Sequence, residues 1–268
     1  MAIISTEAIV LRSMDHRETS KLCFFFTRKC GKVIGVLKGI RKDPRKFGSS
    51  ADKCSVNDIV FYQYRNSDIH LVGQCDMREF FPAIREDIKR INAAEYACEL
   101  LNKVMPLEEP NPGVYSLLSD FLRALDNPGP GARDARHNSD VNDPLGTRNL
   151  SPAGISTLVH MFQIKVLALS GFRPHIDSCV RCGKNIMGRT RFSVLKGGLM
   201  CGVCGPRDTD SIAVSAGAVA TLLYVEQHDW TACLKLGMAP SIRIELKNIL
   251  NTFLLYHLEK NIRSAKFL

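Results

Sequence analysis

The sequence predicts an α+β protein: a five-stranded OB-fold β-barrel at the N-terminus, then a helical domain with an inserted four-cysteine zinc module. Three observations lead there. Five short β-rich segments occupy residues 1–80 with no long helix among them. From about residue 83 the apolar spacing changes to that of a helix. Two Cys-x-x-Cys pairs, 179-CVRC-182 and 201-CGVC-204, lie within the helical half.

The five strand segments are EAIVLR, KLCFFFTR, KVIGVLKG, NDIVFYQYR and DIHLVGQC. Gly31, Gly39, Pro44, Gly48 and the run Asn66–Ser67–Asp68 punctuate them, as turns between strands require. Five short strands of this size close most readily as an OB-fold barrel. The first helix is expected over 84–105, with Ile84, Ile88, Ile91, Ala94, Leu101 and Val104 near helical spacing. Pro106, Pro110 and Pro112 end it, and 113–127 forms a second helix with Leu117, Phe121, Leu122 and Leu125 on one side. Residues 126–150 have few apolar side chains, too few to offset their ordering entropy, and read as a flexible loop. A third helix follows, with Ser151 as N-cap, Pro152 at its first position and Gly171 as its stop. After the cysteines come helices over 215–229 and 240–265, the last with an apolar stripe of Ile244, Ile249, Leu250, Phe253, Leu254 and Leu258. The expected division is 1–80 for the barrel and 81–268 for the helical domain, with the zinc module over 175–208.

Composition limits the function. The 268 residues are 45% hydrophobic and 24% charged, an ordinary globular balance. No apolar run reaches the roughly 20 residues of a membrane span. The N-terminus lacks the basic-then-apolar pattern of a secretion signal, so a cytoplasmic protein without membrane contact is expected. In that setting ten cysteines suggest metal or redox chemistry rather than disulfides. Cys23, Cys30, Cys54, Cys75, Cys98 and Cys233 stand singly among apolar neighbours and read as core residues. The formal net charge of +9 favours an anionic partner such as nucleic acid.

Cys179, Cys182, Cys201 and Cys204 have the spacing C-x2-C-x18-C-x2-C. Two intervening residues let both thiolates of a pair reach one ion, and four thiolates give the closed tetrahedral site of one structural Zn2+. A catalytic zinc keeps an open position, which four thiolates do not leave. His175 and Asp177 lie close enough in sequence to replace a ligand or to support one. The flanking Arg173, Arg181, Lys184, Arg189, Arg191, Lys196 and Arg207 read first as solvated surface, with phosphate contact as the functional alternative.

The main binding candidate is 38-KGIRKDPRKFGSS-50, a basic stretch between two strands. Residues 28–53 carry nine basic side chains against Asp43 and Asp52. Arg28, Lys29, Lys38, Arg41, Lys42, Arg45 and Lys46 are the expected phosphate contacts. Phe47 is a stacking candidate, and Phe24–Phe26 are a second choice that reads mainly as core. There is no G-x-x-x-x-G-K-[ST], no G-x-G-x-x-G after a strand, no H-E-x-x-H and no recognisable carboxylate pair, so no catalytic residue is assigned. The alternatives are a zinc-dependent nucleic-acid enzyme and a zinc-ribbon transcription or translation factor.

Residues 5–40 resemble the opening of the bacterial RecO family. The shared features are Glu18–Thr19–Ser20 at a turn, then Phe26–Thr27 with Gly31–Lys32, then Lys38–Gly39–Ile40–Arg41. The four cysteines resemble the zinc module of many RecO proteins, and YHLEKNIRSAKFL resembles the family's closing helix. Residues 126–150 have the look of an insertion. The resemblance implies an OB-fold, a helical domain, a zinc module and a non-enzymatic recombination mediator of the bacterial cytoplasm and nucleoid. It implies binding of single- and double-stranded DNA and annealing of complementary strands. It further implies work with RecR, contact with the C-terminal tail of single-strand-binding protein, and help in loading RecA.

Overall fold

A computed structural model of the chain describes residues 2–43, 46–126, 152–186, 188–258 and 262–267. The expected phosphate contact Arg45 and the helix cap Ser151 lie outside the described residues. So does the expected loop 126–150, except Asp126, which closes a helix.

The N-terminal strands are β1 (Ala2–His16), β2 (Ser20–Thr27), β3 (Gly31–Leu37), β4 (Val56–Gln63) and β5 (Ile69–Glu79). They close a barrel in the order β1-β2-β3-β5-β4, with β4 returning to β1. Only β3 and β5 run parallel, which is the OB arrangement. β1 is longer than the sequence pattern suggests because it serves two partners. Ala2–Ile9 pair with β4 and Ala8–His16 with β2, and a bulge between Val10 and Arg12 bends the strand from one to the other.

Alternation fills the barrel. Ala8 and Val10, Cys23 and Phe25, Val33 and Leu37, Ile59 and Phe61, Val72 and Cys75 all point inward. Three side chains of the β3–β4 connection, Ile40, Phe47 and Ala51, complete this core. Phe47 is only 5% exposed, so the stacking role considered for it is corrected: burying its ring holds the connection to the barrel.

Helices α1 (Pro82–Glu86), α2 (Ile88–Val104) and α3 (Pro112–Asp126) follow. The single helix expected over 84–105 is interrupted at Asp87, whose extended backbone and carboxylate cap the Lys89 N–H at 2.8 Å. The connection between α2 and α3 lies along the barrel. The Glu108 N–H donates to the Lys32 carbonyl, and a Cβ on Gly31 (φ +69) would stand 2.0 Å from the Glu109 carbonyl oxygen. Only glycine fits there. The barrel and α1–α3, with the chain's last residues, form one compact unit.

The second unit begins at α4 (Pro152–Leu169). A small antiparallel sheet follows, in the order β7-β6-β8, from β6 (Thr190–Ser193), β7 (Gly198–Cys201) and β8 (Ile212–Val214). Then come α5 (Ala216–Gln227), capped by Ser215, α6 (Trp230–Cys233), capped by Asp229, and α7 (Pro240–Leu258). α4 buries Val159, Phe162 and Val166, and α7 buries Leu246, Ile249, Leu250, Phe253 and Leu254. Ile244, expected on that stripe, is 63% exposed. Five of the six single cysteines are buried, and Cys30 is half-buried. No helix among the described residues is long and apolar enough to cross a membrane.

Candidate nucleic-acid interface and metal centre

The β2–β3 hairpin separates the expected phosphate contacts into two groups. Arg28 and Lys29 sit in the turn at one end, and Lys38, Arg41, Lys42 and Lys46 lie beyond the other. The ladder runs from Thr27↔Gly31 to Lys21↔Leu37, so the ends are about 20 Å apart at strand rise. The residues therefore do not form a single patch.

Several of these cations are already occupied. The Arg41 guanidinium donates to the carbonyls of Arg17 and Glu18, both at 3.2 Å, and pairs with Asp15 at 3.3 Å. It thereby braces the β1–β2 turn. The Lys46 ammonium donates to the Lys38 carbonyl at 2.9 Å, and that of Lys29 to the Ser5 carbonyl at 2.8 Å. Arg28, Lys38 and Lys42 are exposed, and their side chains make no hydrogen bond or ion pair among the described residues.

Lys38 borders a cleft of about 980 Å3. Its walls are the β1–β2 turn (His16–Ser20), Tyr64 and Ser67 of the β4–β5 turn, and Val36 and Ile69. Beside the cleft, two rungs cross the outside of the barrel. One is Met14–Leu22–Val36–Leu71, the other Arg12–Phe24–Ile34–Ile69. All eight are half-buried or exposed. The Arg12 guanidinium lies 5.7 Å from the centre of the Phe24 ring.

Sequence alone does not separate this face from the core, because KLCFFFTR reads as one compact apolar run. Its three phenylalanines divide by strand parity. Phe25 faces the core, while Phe24 and Phe26 face outward. Phe26 is covered by Tyr115 of α3, ring centres 6.2 Å apart, which leaves Phe24 as the accessible ring. Once the closed barrel places Cys23 and Phe25 inward, strand parity puts Leu22 and Phe24 outside.

In the second unit, the sulfurs of Cys179, Cys182, Cys201 and Cys204 all lie within 4.8 Å of one another. The first pair turns where the Gly183 N–H donates to the Cys179 carbonyl at 2.8 Å. The β6–β7 hairpin delivers the second pair. Burial pushes the Cys179 thiol up, but the backbone N–H groups of Cys201, Cys182 and Arg181 outweigh it and bring the value to about 6. Burial and the three neighbouring sulfurs drive Cys204 the other way, to about 12. Four sulfurs this close cannot all ionise unaided, and a divalent cation between them removes that conflict. The donor set thus fits a thiolate-bound metal ion. The two substitute ligands considered from sequence are engaged elsewhere: His175 Nε2 with Ser178 at 2.7 Å, and Asp177 with Arg173 at 2.9 Å.

The basic flank of this centre also divides. Arg173 pairs with Glu226 and Asp177, Arg191 bonds Ser211, and Lys196 bonds Asp208 at 2.5 Å. Arg181, Lys184, Arg189 and Arg207 are exposed and make no side-chain bond or ion pair among the described residues.

A closed OB barrel followed by helices, with four cysteines placed to hold a metal ion, sets the architectural class of the chain. Within it, the model of the recombination protein O N terminal domain matches residues 1–81, and that of its C terminal domain matches 85–137 and 149–266. The chain belongs to the RecO family. It is 28% identical to the DNA repair protein RecO of Alkaliphilus metalliredigens, over 96% of this chain and 95% of the relative. It is 29% identical to that of Myxococcus xanthus over 98% and 95%, and 27% identical to that of Moorella thermoacetica over 99% and 90%. Membership supports a role in DNA repair and recombination.

Proposed function

We propose that the protein is a non-enzymatic mediator of recombinational repair that holds DNA on the outer face of its barrel. The observation that carries this is the pairing of an accessible aromatic ring, Phe24 under Arg12, with a cleft bordered by Lys38. Bases stack on such rings without sequence preference, and cations beside them neutralise phosphate. Neither contact occupies a base edge, so a strand held this way stays ready to pair. That is the property an annealing factor needs.

On this reading Lys38 and Lys42 contact phosphate directly, Arg41 and Lys46 shape the loop that presents them, and Arg28 meets the strand at the far end of the hairpin, beside Lys29, which holds the Ser5 carbonyl. Arg45 belongs to the same loop by sequence. The family resemblance extends the proposal to both single- and double-stranded DNA. It also extends it to RecR, to the acidic tail of single-strand-binding protein and, through them, to RecA loading in the bacterial cytoplasm. The ion held by the four cysteines is one Zn2+ per chain in a structural role, because four thiolates leave it no open coordination position.

Strand annealing on DNA coated by single-strand-binding protein, with and without that protein's C-terminal tail, tests the proposal. Annealing that requires the tail supports a mediator. Metal-dependent cleavage or turnover of the DNA would instead favour a zinc-dependent enzyme, and a preference for RNA would favour a zinc-ribbon transcription or translation factor.

A further inference from the structure

Cys54 and Cys98 are two buried thiols from distant parts of the chain whose sulfurs stand 3.4 Å apart. Cys54 is 6% exposed and Cys98 is 1% exposed. Cys98 comes from α2. Cys54 lies near the end of the β3–β4 connection, and the barrel holds it firmly. Its N–H donates to the Val10 carbonyl at 2.9 Å, and the Val10 N–H donates to the next carbonyl, that of Ser55, at 3.0 Å. Its φ of +61 lies in the left-handed region that side-chain-bearing residues rarely occupy. Strained backbone of this kind persists only where its surroundings fix it. A second link joins the same two segments, because Lys53 pairs with Glu95 at 3.1 Å.

The two residues differ in what they border. A cavity of about 260 Å3 is lined by Cys54 together with Lys53, Phe80, Arg85 and Glu95, and Cys98 is not part of its wall. The two thiols are therefore unequal. The hydrogen bond to Cys54, followed by burial, raises the Cys98 thiol well above its ordinary range, so Cys98 keeps its proton.

We propose that Cys54 and Cys98 are an oxidisable dithiol, which a peroxide entering this cavity converts into a disulfide joining the barrel to α2. The Cys54 sulfur, having released its proton to solvent, attacks one peroxide oxygen. An S–O bond forms, the O–O bond breaks, and the leaving hydroxide takes up a proton to become water. The Cys98 sulfur then attacks the Cys54 sulfenic acid. The S–S bond forms, the S–O bond breaks, and the departing hydroxide takes the Cys98 proton as a second water. Two thiols lose two electrons and one peroxide gains them. The sulfurs need to close from 3.4 Å to the ~2.05 Å of a disulfide. A thiol reductant reverses the reaction.

The product ties α2 to the β3–β4 connection, the same connection that carries Lys38 and Lys42. Oxidation therefore restrains how far the end of that connection and α2 can separate.

The test uses full-length, metal-loaded protein. It is treated with graded hydrogen peroxide, alkylated, digested without reduction and mapped by mass spectrometry. The expected result is a cross-linked peptide pair containing Cys54 and Cys98, lighter by two hydrogen atoms and lost on adding dithiothreitol. Dimedone should trap a sulfenic acid at Cys54 in Cys98→Ser, and none at Cys98 in Cys54→Ser. The oxidised protein should melt several degrees higher than the reduced form. Cys54 and Cys98 remaining fully alkylated while the thiols at Cys182 and Cys201 oxidise would overturn the proposal. So would a trapped sulfenic acid at Cys98, or a lower melting point in the cross-linked protein.

Discussion

Replacing Lys38 and Lys42 together by glutamine removes two cations that the structure leaves without intramolecular partners among the described residues. The fold should be unaffected, because both side chains are exposed and make no bond that the loop depends on. Each phosphate contact to single-stranded DNA contributes about 0.7 to the slope of log affinity against log salt, so losing two flattens it by about 1.4. Between 50 mM and 200 mM salt, that flattening amounts to roughly sevenfold less salt-induced weakening than in the parent protein. Fluorescence anisotropy on an unstructured oligonucleotide across that salt range measures the difference directly. Melting of the variant within a degree of the parent confirms that loss of binding is not loss of fold. A double variant with an unchanged slope refutes the placement of phosphate at this loop, whatever happens to affinity at a single salt concentration.

Three further outcomes follow from the geometry. Phe24→Ala should weaken single-strand binding by about tenfold or more, the order of one lost base stack, while duplex binding changes little, as paired titrations on the two substrates will show. Cys201→Ser should abolish stoichiometric metal binding and lower the melting temperature more than it lowers DNA affinity; selective loss of DNA binding by folded, metal-free protein would contradict a structural role. The Arg123 guanidinium, donating to both oxygens of Glu79 at 3.0 and 2.5 Å, holds that carboxyl below its ordinary value of 4.5. A carboxyl with a depressed folded value stabilises the protein above its unfolded value and loses that contribution as pH falls through the folded one. Because the pair is partly solvated it contributes about 1 kcal/mol or less, so Glu79→Gln should lower the melting point slightly near neutrality and approach the parent as the pH falls past 4.5 and through the depressed folded value.

The strands were legible because inward and outward residues alternate, and the metal module because its spacing is chemically specific. Other features depended on contacts that spacing does not encode. Nothing in 84–105 marks Asp87 as a cap, since Ile84, Ile88 and Ile91 keep helical spacing across the break. Ile88 is in fact 67% exposed. Phe47 follows a basic run and so resembles a binding residue, but its ring is buried in the barrel core. The outward face of β2 was hidden for a different reason. Its apolar side chains look like core in one dimension, and only the closed barrel shows which parity is inside. The bracing role of Arg41 depends on a turn twenty-odd residues earlier in the chain, and composition carries no record of that contact.

Net charge is a poor map of a nucleic-acid surface, and the segment 28–53 shows why. Of its nine basic residues, Lys32 is buried and donates to the Asn102 carbonyl at 2.7 Å. Lys53 pairs with Glu95, Lys29 and Lys46 cap backbone carbonyls, and Arg41 braces a turn. Those five hold the fold. Among the described residues, Arg28, Lys38 and Lys42 keep their side chains available to an external anion. The same sorting around the four cysteines leaves Arg181, Lys184, Arg189 and Arg207, but there it has a different meaning. Four thiolates around a divalent ion carry a net charge of about −2, and neighbouring cations screen it without any partner being present. No such internal charge explains the exposed lysines of the barrel loop. Lys38 also borders a cleft beside an accessible aromatic ring. The basic loop is therefore the stronger candidate for the working surface, even though the cysteines are the more conspicuous feature of the sequence.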